Sequence, residues 1–535
     1  MESVLRQIET EDSIFFVENQ YYQIDIQKYK DKFLELQKKG IISKKTKYTD
    51  SKWQCFSETD TQLISLIYND ISYCQHLKSL LKISSAELNK MLRAYAVSLF
   101  GVFVLSTIAV YLNSVVNFIN HYYEPDFFMN SDDAHRVIDF LEFINFPEQD
   151  LNTLLKRVKI EKVVKSHEPR KLANLINYLA VSNEIQDIYM DENLSDEEFI
   201  YWFPIFFWTQ ITFVIPLRAT EMLTTRSNCI ERKNGDVFIH LWRTKLKKGN
   251  RNVYYNVDQD YAEFTYRIPD SHTVKVIEKY QNLTKSNERK FLFTTSDLMP
   301  NHIFPLDSFN ARLEQFVDER LIGNTKYDYA KFASGIDDFE RITAGDSRPI
   351  AMANLYYQDL GADICKQLAN HERISTSAGY YTNVSNTVLA SSIIQMQRKI
   401  NYEASQNKKY EGTISLRPYG NEYCDSPKRP LETGNVEDCV SEGHLQECLG
   451  CRFYRPSEAK LVEDMKKREV KLDEASKRVI EFINKKGKKK DSKEDFDKLF
   501  LDAHTGIQRF HTACDEKAKE EEIKWRRRKN TQTNN

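Results

Sequence analysis

Along the chain, apolar positions fall into long helical blocks broken by short polar turns. Residues 94–120 carry no charge, and within Thr107–Asn120 apolar side chains return every three or four positions, the spacing of a buried helix face. Just upstream, Ser84 stands three residues before Glu87, which predicts a capping box opening a helix. Residues 201–217 are also uncharged, but they contain Pro204 and Pro216. Length alone makes both stretches membrane candidates. Ser, Thr, Asn and Gly interrupt the first and proline interrupts the second, so buried helices and no membrane partner are expected. Around 236–257 the period changes: Asp236–Lys245 and Arg251–Val257 read as two strands around the basic turn Leu246–Asn250. Beyond Ala459 the chain becomes Lys/Glu-rich helix with an ending, Trp525–Asn530, expected to fray.

This pattern predicts five segments: an N-terminal arm or small domain (1–85), a helical domain (86–190), a motif-bearing domain (195–400), a cysteine-containing segment (401–460) and a charged helical tail (461–535). A chain of 535 residues exceeds one ordinary core, and 41% hydrophobic content supports several packed units. The net charge of −2 gives no general attraction to nucleic acid. Its distribution differs: Arg226–Arg251 holds eight Lys/Arg against two Asp/Glu. Nine cysteines behind an acidic start with no apolar leader point to a reducing cytoplasm.

Candidate chemistry lies in one ordered set spread over about 160 residues. Arg218 sits in Pro216-Leu217-Arg218-Ala219-Thr220-Glu221, Lys245 before Lys247, Lys248 and Arg251, and Arg348 in Asp346-Ser347-Arg348-Pro349. His371 and the tandem Tyr380–Tyr381 follow. Breaking a phosphodiester without metal requires cations for the non-bridging oxygens, an acid for the leaving oxygen and an in-line nucleophile. Arginine forks suit the first role, a lysine the second and a phenol the third. Singly, each has a plain reading: an i,i+3 ion pair for Arg218–Glu221, a solvated basic turn for Lys245, aromatic packing for the tyrosines. Motifs for phosphate-binding Gly-rich loops, zinc proteases and serine hydrolases are absent from the sequence.

A further cluster, Cys424, Cys439, Cys448 and Cys451 with His444 among them, spans 28 residues. The Cys-x-x-Cys pair has metal-ligand spacing, so the four cysteines are expected to hold a structural zinc, with His444 as the substitute ligand. Unligated thiols are the plain alternative.

The order and contexts of Arg218, Lys245, Arg348, His371 and Tyr380–Tyr381 resemble the tyrosine recombinase (phage integrase) family, most of all transposon-borne members with a cysteine-containing C-terminal tail. The resemblance is strongest in Asp346–Arg348, Gly361-Ala362-Asp363, Leu368–His371 and Ile374–Val384. It implies a mainly α fold with a small β-sheet in the catalytic domain, a helical core-binding domain that clamps DNA, and a zinc-stabilised helical tail. It further implies a site-specific recombinase, of integrase or transposase type, acting through a 3′-phosphotyrosyl link without catalytic cofactor. Double-stranded DNA would be its partner, with a tetramer assembling on it and accessory recombination proteins possible, in the bacterial cytoplasm at the nucleoid. Arg218, Lys245, Arg348 and His371 would act on the phosphate and Tyr380, nine residues after His371, would attack it, Tyr381 staying open. Gly345 and Pro349 depart from the family, which usually has histidine before the second arginine and commonly another after it. That departure keeps a second reading: a recombinase-fold DNA-binding regulator without cleavage.

Overall fold

In this computed structural model the described residues are 5–10, 13–18, 24–124, 127–147, 151, 154, 158–161, 174–245, 252–285, 288–294, 303–358, 360, 362–371, 377, 379–406, 423–424, 454–455, 460–486 and 493–533. They are mainly helical with small two- and three-stranded sheets, as the sequence pattern predicts. The chain divides into two units. Met1–Ser166, Trp242–Phe264 and Thr294–Ile303 form one, and His167–Leu241, Thr265–Phe293 and Phe304–Asn535 form the other.

In the first unit, β1 (Leu5–Thr10) and β2 (Ser13–Glu18) pair antiparallel. Helix α1 (Ile26–Lys38) is capped by the Asp25 carboxylate, which accepts from the backbone of Gln27 and Lys28, and it buries Phe33 and Leu36. Strands β3 (Lys52–Phe56) and β4 (Thr61–Ser65) pair antiparallel and bring the fully buried Trp53 edge-on to Phe33. Short helices α2 (Asp70–His76) and α3 (Lys78–Leu81) lead into α4 (Ser85–Leu99). Both halves of the expected capping box are present: the Ser84 backbone donates to Glu87 at 2.8 Å and the Glu87 backbone to Ser84 Oγ at 3.3 Å. The uncharged stretch then breaks. Gly101 takes φ +86°, and α5 (Leu105–His121) starts anew. The Tyr255 hydroxyl secures this break, accepting from Gly101 N–H at 3.0 Å and donating to Phe103 carbonyl at 2.7 Å. Among the described residues no helix is long and apolar enough to cross a membrane. Strand β5 (Phe128–Asn130) pairs parallel with β6 (Lys159–Glu161), and α6 (Ser131–Phe143) lies between them in sequence.

The second unit opens with α7 (Leu175–Met190) and α8 (Asp196–Thr212), the latter buried along most of its length, Pro204 included. A five-residue helix, α9 (Ala219–Leu223), precedes the sheet β7 (Ile230–Lys233), β8 (Asp236–Thr244) and β9 (Tyr261–Ile268), of which residues 242–244 and 261–264, like the chain between them, belong to the first unit. Asn234 and Gly235 join β7 to β8 with φ of 53° and 84°, the two-residue hairpin geometry that Asn-Gly favours. Here the sequence expectation needs correction, because the neighbours of β8 are β7 and Tyr261–Ile268, and the described residues 252–257 form no strand. The Asp260 carboxylate collects the N–H groups of Tyr254 (2.9 Å) and Asn256 (3.1 Å), and the Asn256 side chain caps the turn α10 (Val257–Asp260). Backbone donors captured this way are lost to a strand ladder.

The remaining helices are α11 (His272–Leu283), α12 (Leu306–Arg320), α13 (Asp328–Ser334), α14 (Ser347–Tyr357), α15 (Ala362–Ala369), α16 (Val384–Ser405), α17 (Leu461–Lys486) and α18 (Lys493–Thr533). Strands β10 (Tyr423–Cys424) and β11 (Tyr454–Arg455) pair antiparallel before α17. The charged tail is amphipathic. Leu472, Val479, Ile507 and Phe510 from α17 and α18 share one apolar cluster with Met352, Tyr356, Tyr381 and Val388. Its ending does not fray: α18 reaches Thr533, Trp525 stands edge-on to Tyr329, and Arg526 bonds Glu403 at 2.7 Å.

Phe510 is 1% exposed in that cluster. Its replacement by alanine should therefore destabilise the second unit by about 3–5 kcal/mol, read as a shift in the urea midpoint. A loss of less than about 1 kcal/mol would mean that α18 is not part of this core.

Candidate active site

Arg218 stands in extended conformation at the N-cap of α9, and Glu221 is its third helical residue. The Glu221 carboxylate accepts the Arg218 backbone N–H at 3.0 Å and its Nη1 at 2.6 Å. With side-chain exposures of 2% for Glu221 and 31% for Arg218, the anion is sealed in and the cation faces outward from it. This i,i+3 pair was legible from spacing. Its geometry fixes one edge of the guanidinium and leaves Nε and Nη2 without a protein hydrogen bond among the described residues.

The second arginine is brought to the first by backbone anchoring. Ser347 Oγ donates to the carbonyl of Leu217, the residue before Arg218, at 3.1 Å. Arg348 follows in the first turn of α14, 6% exposed. Asn354, two turns along, donates to the Phe213 carbonyl at 3.2 Å. Thus α14 is tied at two points to the segment that delivers Arg218. Pro349 fits because the first turn of a helix has no partner for the missing N–H. Asp346, also buried, accepts the Tyr178 hydroxyl in a short hydrogen bond from α7.

His371 follows α15, after Asn370 has turned the chain with φ of 50°. The His371 N–H donates to the Lys366 carbonyl at 3.0 Å, and Nδ1 shares a hydrogen bond with Ser377 Oγ at 2.8 Å. Its ring, 8% exposed, is parallel to that of Tyr380 with centroids 6.0 Å apart. The two adjacent tyrosines have different surroundings. Tyr380 is half-buried. Tyr381 is 3% exposed and stacks on Tyr356 of α14 at 3.9 Å. Burial pushes the Tyr356 phenol far above its ordinary value, with Cys365 and Tyr381 adding to the effect, so this pocket disfavours a phenolate.

Arg218, Arg348, His371 and Tyr380 are therefore linked within the second unit by direct contacts between their carrying segments. Lys245 belongs to the first unit. It is half-buried at the end of β8, its N–H donating to the Asp260 carbonyl at 2.9 Å and its Nζ to the Gln259 carbonyl at 3.4 Å. Lys247, Lys248 and Arg251 lie outside the described residues. So do Cys439, His444, Cys448 and Cys451. Cys424 is buried on β10, opposite Tyr454 of β11, and among the described residues no group of three His, Cys, Asp or Glu side chains could hold a metal. Three residues of the site escape sequence reasoning: Tyr178, Ser347 and Ser377. Ser377 lies inside the recognisable Ile-Ser-Thr-Ser run, and Ser347 between two recognisable residues; nothing in the spacing marks Tyr178.

No family model matches the chain, and no curated protein matches it. Among solved structures it is similar to the XerH site-specific recombinase bound to palindromic difH substrate in a post-cleavage complex, at 12% identity. That match covers 59% of this chain and 85% of the other, with a TM-score of 0.31. It is also similar to XerH bound to difH in a pre-cleavage complex, at 12% identity over 56% and 81% of the two chains, again with a TM-score of 0.31. A TM-score this low leaves the chemistry to be read from the side chains.

Glu221→Ala would remove the acceptor for two donors, and it should destabilise the second unit by about 1–3 kcal/mol. Denaturant titration of this variant beside Glu221→Gln, which keeps a neutral acceptor and should lose less, checks the anchoring of Arg218.

Proposed function

We propose that the second unit cleaves and rejoins DNA as a site-specific tyrosine recombinase. The observation that carries this reading is the junction of distant segments: Ser347 on the Leu217 carbonyl sets Arg348 beside the Arg218 segment, Tyr381 packs on the helix of Arg348, and Tyr380 lies parallel to His371. Two guanidiniums and an imidazole form a donor set suited to a dianion-like phosphoryl transition state, and the adjacent phenol is suited to supply the nucleophile.

In this reading Arg218 and Arg348 bind the non-bridging oxygens of the scissile phosphate. When the Ser377 hydroxyl donates to Nδ1, neutral His371 carries its proton on Nε2, the form that donates to a phosphate oxygen. The Tyr380 phenol releases its proton to solvent as its oxygen attacks phosphorus, a 3′-phosphotyrosyl bond forms, and the bond to the 5′ oxygen breaks. That oxygen leaves as a hydroxyl by taking a proton, for which Lys245 is the sequence-based candidate. A 5′ hydroxyl of a partner strand reverses the same steps, so bond energy is conserved and no nucleotide is consumed. Tyr380 is preferred as nucleophile because Tyr381 is committed to the apolar cluster. Double-stranded DNA follows as partner, and a tetramer on two duplexes is the assembly that such strand exchange calls for.

We also propose a structural zinc on Cys424, Cys439, Cys448 and Cys451, His444 being the substitute ligand. The pairing of β10 with β11 supports it, since it brings Cys424 opposite a residue only three positions beyond Cys451 in sequence. Thiolate ligands would cross-link a stretch poor in apolar residues. Metal analysis of dialysed protein should find zinc in the wild type and little in Cys424→Ser; a metal-free wild type would refute the site.

The enzymatic reading is checked by mixing the protein with fragmented DNA from its source cell, denaturing, and recovering protein-linked fragments. Wild type and Tyr381→Phe should yield covalent fragments sharing a sequence, and Tyr380→Phe none. Sequence-specific binding without any covalent product would instead favour the DNA-binding regulator that Gly345 and Pro349 suggest.

A further inference from the structure

Asp346 occupies the N-cap of α14, where an aspartate ordinarily accepts the N–H of the second or third helical residue. Here its carboxylate makes no such cap bond. The third helical position is Pro349, which has no N–H to offer. The carboxylate instead takes the hydroxyl of Tyr178, carried by α7, 168 residues earlier. Tyr178 and Asp346 are 4% and 6% exposed. The next residue, Ser347, is gripped from another direction by the Leu217 carbonyl. Two separate elements thus hold the two residues that immediately precede Arg348. They do so next to Gly345, a residue with no side chain to orient anything.

We propose that Tyr178 and Asp346 are positioning residues for Arg348: the phenol holds the carboxylate, and with it the N-cap residue on which α14 starts and from whose first turn Arg348 reaches the phosphate. This inference rests on the reading of the site given above. A guanidinium that must meet a phosphate in bidentate geometry tolerates little angular error, so loosening its helix start weakens neutralisation of charge without abolishing binding. Neither residue would touch DNA.

Tyr178→Phe is the informative variant in the full-length protein, because it removes the hydroxyl and keeps the ring, including its contact with Trp208 at 6.3 Å. Single-turnover formation of the covalent complex should fall roughly tenfold, the kinetic equivalent of one hydrogen bond, while DNA affinity stays within about twofold. Asp346→Asn retains an oxygen acceptor and should lose less than Asp346→Ala. The discriminating readout is a substrate with a methylphosphonate at the cleavage position, which carries no charge for an arginine to neutralise. On that substrate the deficits of Tyr178→Phe and Arg348→Ala should both shrink. Equal deficits on phosphate and methylphosphonate, accompanied by a lowered melting temperature, would overturn the proposal in favour of a purely structural bond. So would a Tyr178→Phe enzyme that cleaves as fast as the wild type. A wild type that forms no covalent product on either substrate would remove the underlying reading of the site, and the positioning role with it.

Discussion

Burial of α14 on nearly every side is the constraint on which the second unit depends. Nine of its eleven residues are buried, among them Ser347 and Arg348. A helix without a solvent face cannot leave its polar groups to water, so each must find a partner inside the protein. Ser347 and Asn354 meet that demand by bonding the carbonyls of Leu217 and Phe213. Those two bonds draw the non-helical segment after α8 against α14. The separation of Arg218 from Arg348 is thereby set by core packing, without any direct bond between the two guanidiniums being required.

The same helix governs the other end of the site. Tyr356 receives Tyr381 at 3.9 Å, and around that stack lie Leu472, Val479, Ile507 and Phe510 of the two C-terminal helices. A short 3-10 turn, Gly379–Asn383, carries both tyrosines. Burying one of them in this cluster commits the turn and places the other beside His371. The tandem tyrosines are thus not equivalent: Tyr381 is buried within the core, whereas Tyr380 is half-buried at its edge and parallel to His371. The charged composition of α17 and α18 conceals this contribution, since Lys and Glu on their outer faces outnumber the apolar residues they bury.

What was legible in the sequence follows the distance over which each interaction acts. The Ser84–Glu87 box and the Arg218–Glu221 pair are separated by three residues, and helix geometry alone brings them together. The break at Gly101 could be suspected from its residue type, but the phenol that secures it comes from Tyr255, which no local pattern reveals. The same applies to the strand expected at Arg251–Val257. Its alternation is real, yet the Asp260 carboxylate captures its backbone donors and shifts the pairing to Tyr261–Ile268. An overlooked local signal, Asn234-Gly235, marks the hairpin that does form. Tyr178 lay beyond sequence reasoning because its partner is 168 residues away and its own surroundings are those of any buried helix.

Exposure across the site is graded in the order the proposed chemistry needs. Arg348 and His371 are 6% and 8% exposed, whereas the side chain of Arg218 is 31% exposed and Tyr380 is half-buried. Donors that are already desolvated and held in place need no reorganisation when negative charge develops, and they act at lower effective dielectric than surface cations. A nucleophile has the opposite requirement, for it must reach a phosphate delivered from outside. Holding a guanidinium within the core is costly unless its surroundings are fixed. In the proposed reading the bonds around Ser347 and Asp346 hold the helix start that carries this buried cation. Gly345, three residues before Arg348, offers no side chain of its own. The two residues before Arg348 are held instead by the Leu217 carbonyl and the Tyr178 hydroxyl.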